Sequence, residues 1–288
     1  MRYSAGAYTD IGTAREKNQD SFCVLRAGST VRGNVLMAVV CDGMGGLARG
    51  EVASGTVVTA FSDWFMNDLP VRIQECSLRQ VGDIWTEMLY GLNERLKDYG
   101  RAENVRVGTT FSGLFLMGKE YLWVHVGDSR IYLFREGKMN QLTSDHTVAN
   151  RDRGRESADA RRGNMLTQCI GASRGLAPNR GIGRLKQMDR FLLCSDGFYH
   201  RCRPVDFWER IEEKMESGTD MTKICRDLSR LMMERGERDN VTAVLVGADE
   251  GRKYGSEIWH RKLEKFCHRK SFYVNQKLFR TYSKEILL

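Results

Sequence analysis

The sequence predicts an α+β fold, with largely antiparallel strands and helices gathered into separate stretches of the chain. Three observations predict it. Short apolar or alternating runs of strand length recur in blocks, apolar residues repeat at three- and four-residue steps between those blocks, and glycine-containing dipeptides join neighbouring runs at hairpin spacing.

In chain order, strands are expected at Ala5–Tyr8, Asp20–Arg26 and Val35–Cys41. Helical periodicity follows over Gly50–Met66, where Val52, Ala53, Val57, Ala60, Phe61 and Trp64 share one face, and again over Arg72–Tyr99. A second block of strands is expected at Thr109–Met117, Tyr121–Val126, Arg130–Arg135 and Arg190–Cys194. Gly118-Lys119 and Glu136-Gly137 read as turns between antiparallel neighbours. Helices over Pro204–Glu216 and Met221–Arg235 and a last strand at Val241–Val246 complete the pattern. Thr143–Asn164 is polar, highly charged and weakly periodic, and looks like a mobile surface flap.

The chain has 288 residues, 41% hydrophobic and 28% charged, enough for a large core in one principal domain. No run approaches the roughly 18 apolar residues of a membrane span, and the first residues lack a signal peptide's apolar core, so a cytoplasmic location is expected. Eight cysteines without a C-x-x-C pair read as reduced core thiols; Cys41 and Cys194 end apolar runs. The net charge of +8 is unevenly placed: residues 251–288 hold ten Lys or Arg against three Glu, which leaves residues 1–250 nearly neutral.

Asp residues recur where apolar runs end. Val35–Cys41 stops on Asp42-Gly43, Tyr121–Val126 on Gly127-Asp128, and Phe191–Cys194 on Ser195-Asp196-Gly197, while Asp20 and Asp239 sit at other strand boundaries. A single Asp-Gly is most simply a turn. Their repetition points to carboxylates held rigidly at one metal centre, because such a group would repel itself unless a cation neutralised it. Oxygen ligands without cysteine suit Mg²⁺ or Mn²⁺ better than zinc or copper. Gly43, Gly45 and Gly46 permit a tight turn that presents a carbonyl to a metal. A phosphate-cradling loop is the competing reading, although neither G-x-x-x-x-G-K-[ST] nor G-x-G-x-x-G occurs.

The ordered segments continue beyond the aspartates. They are Thr9-Asp10-Ile11-Gly12 with Arg15 and Asn18-Gln19-Asp20-Ser21; Asp42-Gly43-Met44-Gly45-Gly46 with Gly50-Glu51-Val52-Ala53-Ser54; Gly108-Thr109-Thr110; Val126-Gly127-Asp128-Ser129-Arg130; Leu142-Thr143-Ser144-Asp145-His146; Asn164-Met165-Leu166-Thr167; Ser195-Asp196-Gly197; and Asp239-Asn240-Val241-Thr242. Together they resemble the PPM family of metal-dependent Ser/Thr protein phosphatases, the protein phosphatase 2C type in its short bacterial form, from about Tyr8 to Val246. The resemblance implies a four-layer α-β-β-α sandwich of two antiparallel sheets between helix pairs. It implies a catalytic domain over residues 1–250, with 251–288 as a basic, aromatic C-terminal extension.

It also implies roles. Asp42 bridges two Mn²⁺ or Mg²⁺ ions, Gly43 offers its carbonyl to one, Asp20 supports the second ion, Asp196 and Asp239 complete the first, and Asp128 helps hold a third, weaker metal. Arg15 grips the substrate phosphate, for which a planar fork of donors is suited; the plainer reading is a solvated surface arginine. A metal-bridging hydroxide attacks phosphorus in line. The chain departs from the family at the proton donor, since Met44 and Leu47 stand where eukaryotic and bacterial relatives carry histidine. A metal-bound water is the first candidate and His146 the second, against the plainer reading of a surface histidine. The expected partners are phosphorylated proteins, the substrates of a Ser/Thr kinase. The alternative is a phosphoprotein-binding module of the same fold without turnover. In the tail, Ile258, Trp259, Leu263 and Phe266 fall at helical steps. Contact with an acidic partner or an anionic surface competes with a helix docked on the body; nucleic acid is not expected.

Overall fold

An antiparallel strand that is apolar at every position, as Val35–Cys41 is, needs both faces covered. The computed structural model covers them; it describes residues 1–29, 32–44, 49–152, 163, 165–201, 205–216, 218–249, 272–275 and 280–281. The first strands are β1 (Arg2–Asp10), β2 (Asp20–Ser29) and β3 (Gly33–Asp42). Helices α1 (Gly50–Asp63), α2 (Leu69–Arg72) and α3 (Leu78–Ala102) follow, with a π-helical turn at Trp64–Asp68. Next come β4 (Phe111–Met117), β5 (Glu120–Val126), β6 (Arg130–Arg135), β7 (Lys138–Gln141), α4 (Val148–Arg151), β8 (Asn179–Arg184) and β9 (Asp189–Cys194). The last elements are α5 (Asp196–Tyr199), α6 (Val205–Glu216), α7 (Met221–Glu234), β10 (Val241–Asp249), β11 (Phe272–Asn275) and β12 (Arg280–Thr281).

Two antiparallel sheets form. One has five strands in the order β1-β10-β9-β6-β7, and the other seven, ordered β11-β2-β3-β4-β5-β8 with β12 also on β2. Alternate residues of β3 divide between two cores. Val35, Met37, Val39 and Cys41 pack under α1 and α3, while Leu36, Ala38 and Val40 meet Phe191, Leu193, Val244 and Val246 of the other sheet. The far faces of β9 and β10 pack Leu192, Cys194, Ala243 and Leu245 against Ile211 of α6 and Ile224, Leu228 and Met232 of α7. Three apolar layers therefore separate helices, sheet, sheet and helices, which is the four-layer sandwich. Burial on both faces is why these strands read as continuous apolar runs.

The topology carries the aspartates to one end. Asp20 opens β2 and Asp42 closes β3, and the two are paired directly across the ladder. In the other sheet Cys194 pairs with Ala243 of β10 and Arg130 of β6, so the segments holding Asp196, Asp239 and Asp128 leave at a common edge. Gly127-Asp128-Ser129 crosses from β5 in one sheet to β6 in the other.

Several boundaries differ from the sequence expectation. The helix expected over Arg72–Tyr99 begins afresh at Leu78, because Ser77 and Gln80 form a reciprocal cap in which Ser77 N donates to Gln80 Oε1 at 2.9 Å and Gln80 N to Ser77 Oγ at 3.3 Å. The root of the flap is partly folded in, with Ser144, Ala149 and Arg151 left exposed. Thr143, His146 and Thr147 are buried, and α4 is capped by Thr147; residues 153–162 and 164 lie outside the described residues. Cys23, Cys41, Cys76, Cys169, Cys194 and Cys225 are free and buried, as expected. No helix among the described residues is long and apolar enough to cross a membrane. In the tail, β11 pairs with Arg26–Ser29 and β12 with Phe22–Cys23 of β2, while the expected helix falls outside the described residues.

Candidate metal centre

The loops between these strand ends are fixed by close backbone approaches. A Cβ on Gly43 would lie 2.4 Å from the carbonyl oxygen of Gly50 and 2.5 Å from that of Gln19, so only glycine lets the β3 end, the Asp20 segment and the start of α1 meet. Gly12, at φ +75°, would place a Cβ 2.0 Å from the Asp239 carbonyl, which sets the Arg15 loop against the Asp239 loop. Asn240 completes that seam. Its Oδ1 accepts from Gln19 N at 2.8 Å, and its Nδ2 donates to Ile11 O at 2.8 Å and Lys17 O at 3.1 Å.

Asp20 is buried at 4% exposure. Its Oδ2 accepts from Ser195 Oγ at 2.8 Å and Thr242 Oγ1 at 2.6 Å, whereas Oδ1 is buried with no hydrogen-bond partner. Burial, with the charges of Asp196 and Asp239, pushes its pKa up to about 7 against the pull of those two hydroxyls. Asp42 is anchored through its backbone: Thr110 N donates to Asp42 O and Asp42 N to Thr110 Oγ1, both at 2.9 Å. Burial and then the charges of Asp20, Asp196, Asp128 and Asp239 raise its carboxyl well above the usual range. Asp196 is raised by burial and by Asp239, and lies within hydrogen-bonding reach of Asp42. Asp128 is pushed up to about 7 by burial and by the charges of Asp196 and Asp145.

Asp239 is treated differently. Arg15 donates through Nε to Oδ1 at 2.7 Å and through a terminal nitrogen to Oδ2 at 2.5 Å, and Asn240 N donates to Oδ1 at 2.8 Å. Buried Glu237 holds the turn from below, its Oε1 accepting from Arg238 N at 2.7 Å and Asp239 N at 3.0 Å. The charges of Asp196 and Asp42, besides Asp239, favour the Arg15 cation, which places that guanidinium beside these three carboxylates.

All the expected site residues, Arg15, Asp20, Asp42, Gly43, Asp128, Asp196 and Asp239, thus lie at one end of the sandwich. Among the described residues no group of three or more His, Cys, Asp or Glu side chains is placed so as to hold a metal ion. The carboxylates instead adjoin one another along a rim. Their chemistry fits a hard divalent cation: the donors are oxygens, Asp20 Oδ1 is a buried oxygen without a partner, and adjoining carboxylates raise one another's pKa. The cysteines next in sequence, Cys41 and Cys194, belong to the apolar cores, where burial drives both thiols up. Gly45, Gly46 and Leu47 lie outside the described residues.

His146 is neither at the surface nor at the rim. It is buried, accepts from Gly127 N at 3.2 Å through Nδ1, and has its ring 5.1 Å from that of His125, so burial lowers its pKa. Sequence reasoning gave no role to Ser195, Thr242, Asn240, Glu237 or Tyr199. The first three stand inside the motif segments, and that placement was their only signal.

The family described as Protein phosphatase 2C matches residues 13–245. Protein phosphatase PhpP of Streptococcus pneumoniae serotype 2 (strain D39 / NCTC 7466) is 32% identical over 252 residues, covering 84% of this chain and 96% of that protein. The S. agalactiae serine/threonine phosphatase is similar in structure at a TM-score of 0.73 and 28% identity, covering 86% of this chain and all of that one. The catalytic domain of the serine threonine protein phosphatase PstP in complex with two manganese ions gives a TM-score of 0.65 at 26% identity, over 86% and 99% of the two chains.

Proposed function

The chain belongs to the protein phosphatase 2C family, and from that premise we propose that it hydrolyses phosphoserine and phosphothreonine in proteins phosphorylated by a Ser/Thr kinase. The observation that carries the proposal is the rim of Asp20, Asp42, Asp128, Asp196 and Asp239 with the Arg15 guanidinium beside it. Asp20, Asp42, the Gly43 carbonyl, Asp196 and Asp239 would hold two Mn²⁺ or Mg²⁺ ions, and Asp128 a third, weaker one. When bound, the ions supply a hydroxide nucleophile near neutral pH and neutralise charge on the phosphoryl oxygens.

The chain's own residues do the rest. Ser195 and Thr242 hold one oxygen of Asp20 and leave the other buried without a hydrogen-bond partner. Thr110 fixes the backbone of Asp42 and Glu237 that of Asp239, whose carboxylate also accepts from Asn240 N. Arg15 holds Asp239 through Nε and one terminal nitrogen; with that carboxylate given over to a metal ion, the released fork would turn to the phosphate and orient it for in-line attack through two parallel donors. One water oxygen bonds to phosphorus, the Ser or Thr oxygen leaves, and that oxygen takes a proton. Met44 carries no acidic proton, His146 accepts from Gly127 N within the fold, and His200 Nε2 stands 3.7 Å from Asp196 Oδ2; the proton is assigned to a water in the site. Residues 1–250 form the catalytic unit and 251–288 an extension of it.

Release of phosphate from a phosphothreonine peptide, measured with Mn²⁺ and with a chelator, tests the reading. Turnover that requires Mn²⁺ and is lost in Asp42→Asn supports it. Phosphopeptide binding without any release would instead identify a module that recognises phosphoprotein but does not turn it over.

A further inference from the structure

Asp128 sits in a turn that is pinned on several sides. Gly127, at φ +107°, leaves no room for a side chain, since a Cβ there would lie 2.6 Å from Thr110 Cγ2. Ser129 Oγ is 2.6 Å from Thr110 Oγ1, and His146 N donates to Gly127 O at 2.7 Å. Those contacts hold the turn to Thr110, just before β4, and to the flap root. The link toward Asp196 is of another kind: Tyr199 Oη, three residues after Asp196 on the single turn of α5, donates to the main-chain carbonyl of Asp128 at 3.0 Å.

The Tyr199 ring is itself clamped. The Arg130 guanidinium lies 3.6 Å over its centroid, and that cation is held by Asp145, with Nε at 3.0 and 3.1 Å and a terminal nitrogen at 2.7 Å from the carboxylate oxygens. Arg130 also donates to Tyr132 Oη at 3.0 Å, and Gln141 Nε2 to Asp145 Oδ1 at 3.0 Å. A partly buried guanidinium over an aromatic face restrains the ring more firmly than packing alone.

We propose that Tyr199, braced by Arg130 and Asp145, is a positioning residue that sets the spacing between Asp128 and Asp196 and thereby tunes the affinity of the weaker metal position. The proposal rests on the reading of Asp128 as a metal contact. The hydroxyl joins the peptide unit of Asp128 to the helical turn that begins at Asp196, so its loss frees the Asp128 turn while Asp196 keeps its own backbone setting. Outer groups that orient a ligand in this way commonly change metal affinity by about 10–100-fold.

The experiment is a Mn²⁺ titration by calorimetry on the full chain and on two variants, Tyr199→Phe and Asp128→Asn, with melting temperatures recorded alongside. Tyr199→Phe keeps the ring beneath Arg130 and removes only the hydroxyl. The expected result is a weaker class of Mn²⁺ sites whose dissociation constant rises about tenfold in Tyr199→Phe, with the tighter class within about twofold of its original value. An unchanged weaker class in Tyr199→Phe, while Asp128→Asn removes that class, overturns the role of Tyr199 and leaves the Asp128 reading standing. A weaker class that survives Asp128→Asn overturns the Asp128 reading and the inference with it. Equal weakening of both classes, with a lower melting temperature, also overturns it, since that is general loosening of the fold.

Discussion

Two parts of the acidic rim handle their charge in opposite ways. Asp20 and Asp42 stand opposite each other on the paired ends of β2 and β3, buried or nearly so, and both carboxyls are driven upward by burial and by neighbouring acids. Asp239 stands on a loop, partly exposed at 31%, and receives the Arg15 fork and a backbone amide. Strands place a carboxylate rigidly but leave its charge to be balanced by a cation; the loop brings its own cation, and that cation is the group proposed to grip phosphate. The difference teaches that placement and compensation are divided between the two parts. Substitution on the two sides should therefore move stability in opposite directions.

The largest expected effect separates them directly. Asp42→Asn should lower kcat by about a thousandfold, ~4 kcal/mol of transition-state stabilisation. The same variant, free of metal at pH 7.5, should melt higher, because it removes a carboxylate that burial and four acidic neighbours disfavour; a gain of about 1 kcal/mol corresponds to ~2–4 °C at this size. Asp239→Asn should lower kcat less, by about 10–100-fold, ~1.4–2.7 kcal/mol, and should lower the metal-free melting temperature by weakening the Arg15 fork. Melting shifts of the same sign in both variants would break the comparison.

Arg15→Lys probes the loop side alone. It keeps the charge and loses the fork, so KM for a phosphopeptide should rise about tenfold, ~1.4 kcal/mol, with a smaller change in kcat. A fall in kcat with unchanged KM would assign Arg15 to the transition state only.

The rigid part of this design was the more legible in the sequence. Val35–Cys41 and Phe191–Cys194 read as strands because both faces are buried, and the aspartates that end them stood out against apolar runs. Strand β8 carries one apolar residue in NRGIGR; Gly181 and Gly183 pack against the rings of Trp123 and Tyr121, contacts that no periodicity encodes. Strand β7, Lys138–Gln141, is an exposed edge without alternation. The restart of α3 at Ser77 was hidden by a helical period that continues across the break. His146 looked like a surface group because its polar neighbours mark a loop, yet the loop's root folds inward against Gly127. Ser195 and Thr242 reach Asp20 from residues 175 and 222 positions away, a convergence only the sheet pairing creates.

The pH dependence follows from the strand side. Asp20 has its native pKa near 7 against an ordinary value of 3.8, so the native state holds the proton more tightly than the unfolded chain does. Its contribution is fully present below about pH 4 and is lost as pH rises through about 7. Raised values at Asp42, Asp128 and Asp196 act in the same direction. Metal-free protein should therefore lose melting temperature between pH 5 and 7.5, and the increase on adding Mn²⁺ should grow over the same interval, since ligation requires the deprotonated carboxylates. A Mn²⁺-induced increase that shrinks with rising pH would contradict this assignment.

The smallest effect concerns the edge that holds Asp20. The outer side of β2 is covered by β11 at Arg26–Ser29 and by β12 at Phe22–Cys23, whereas its inner side pairs with β3 over the full length from Asp20 to Ser29. If the β3 ladder alone sets the position of Asp20, ending the chain at residue 250 should change kcat/KM by no more than about twofold. Amide exchange should rise at β2 positions whose outward groups lose a partner, between Phe22 and Ser29. The same truncation removes ten Lys or Arg residues, so reduced binding to anionic vesicles would add a surface contact to the tail's pairing with β2. A tenfold loss of kcat/KM would mean that the strand-held carboxylate depends on its outer edge, and the division between strand and loop would have to be redrawn around β2.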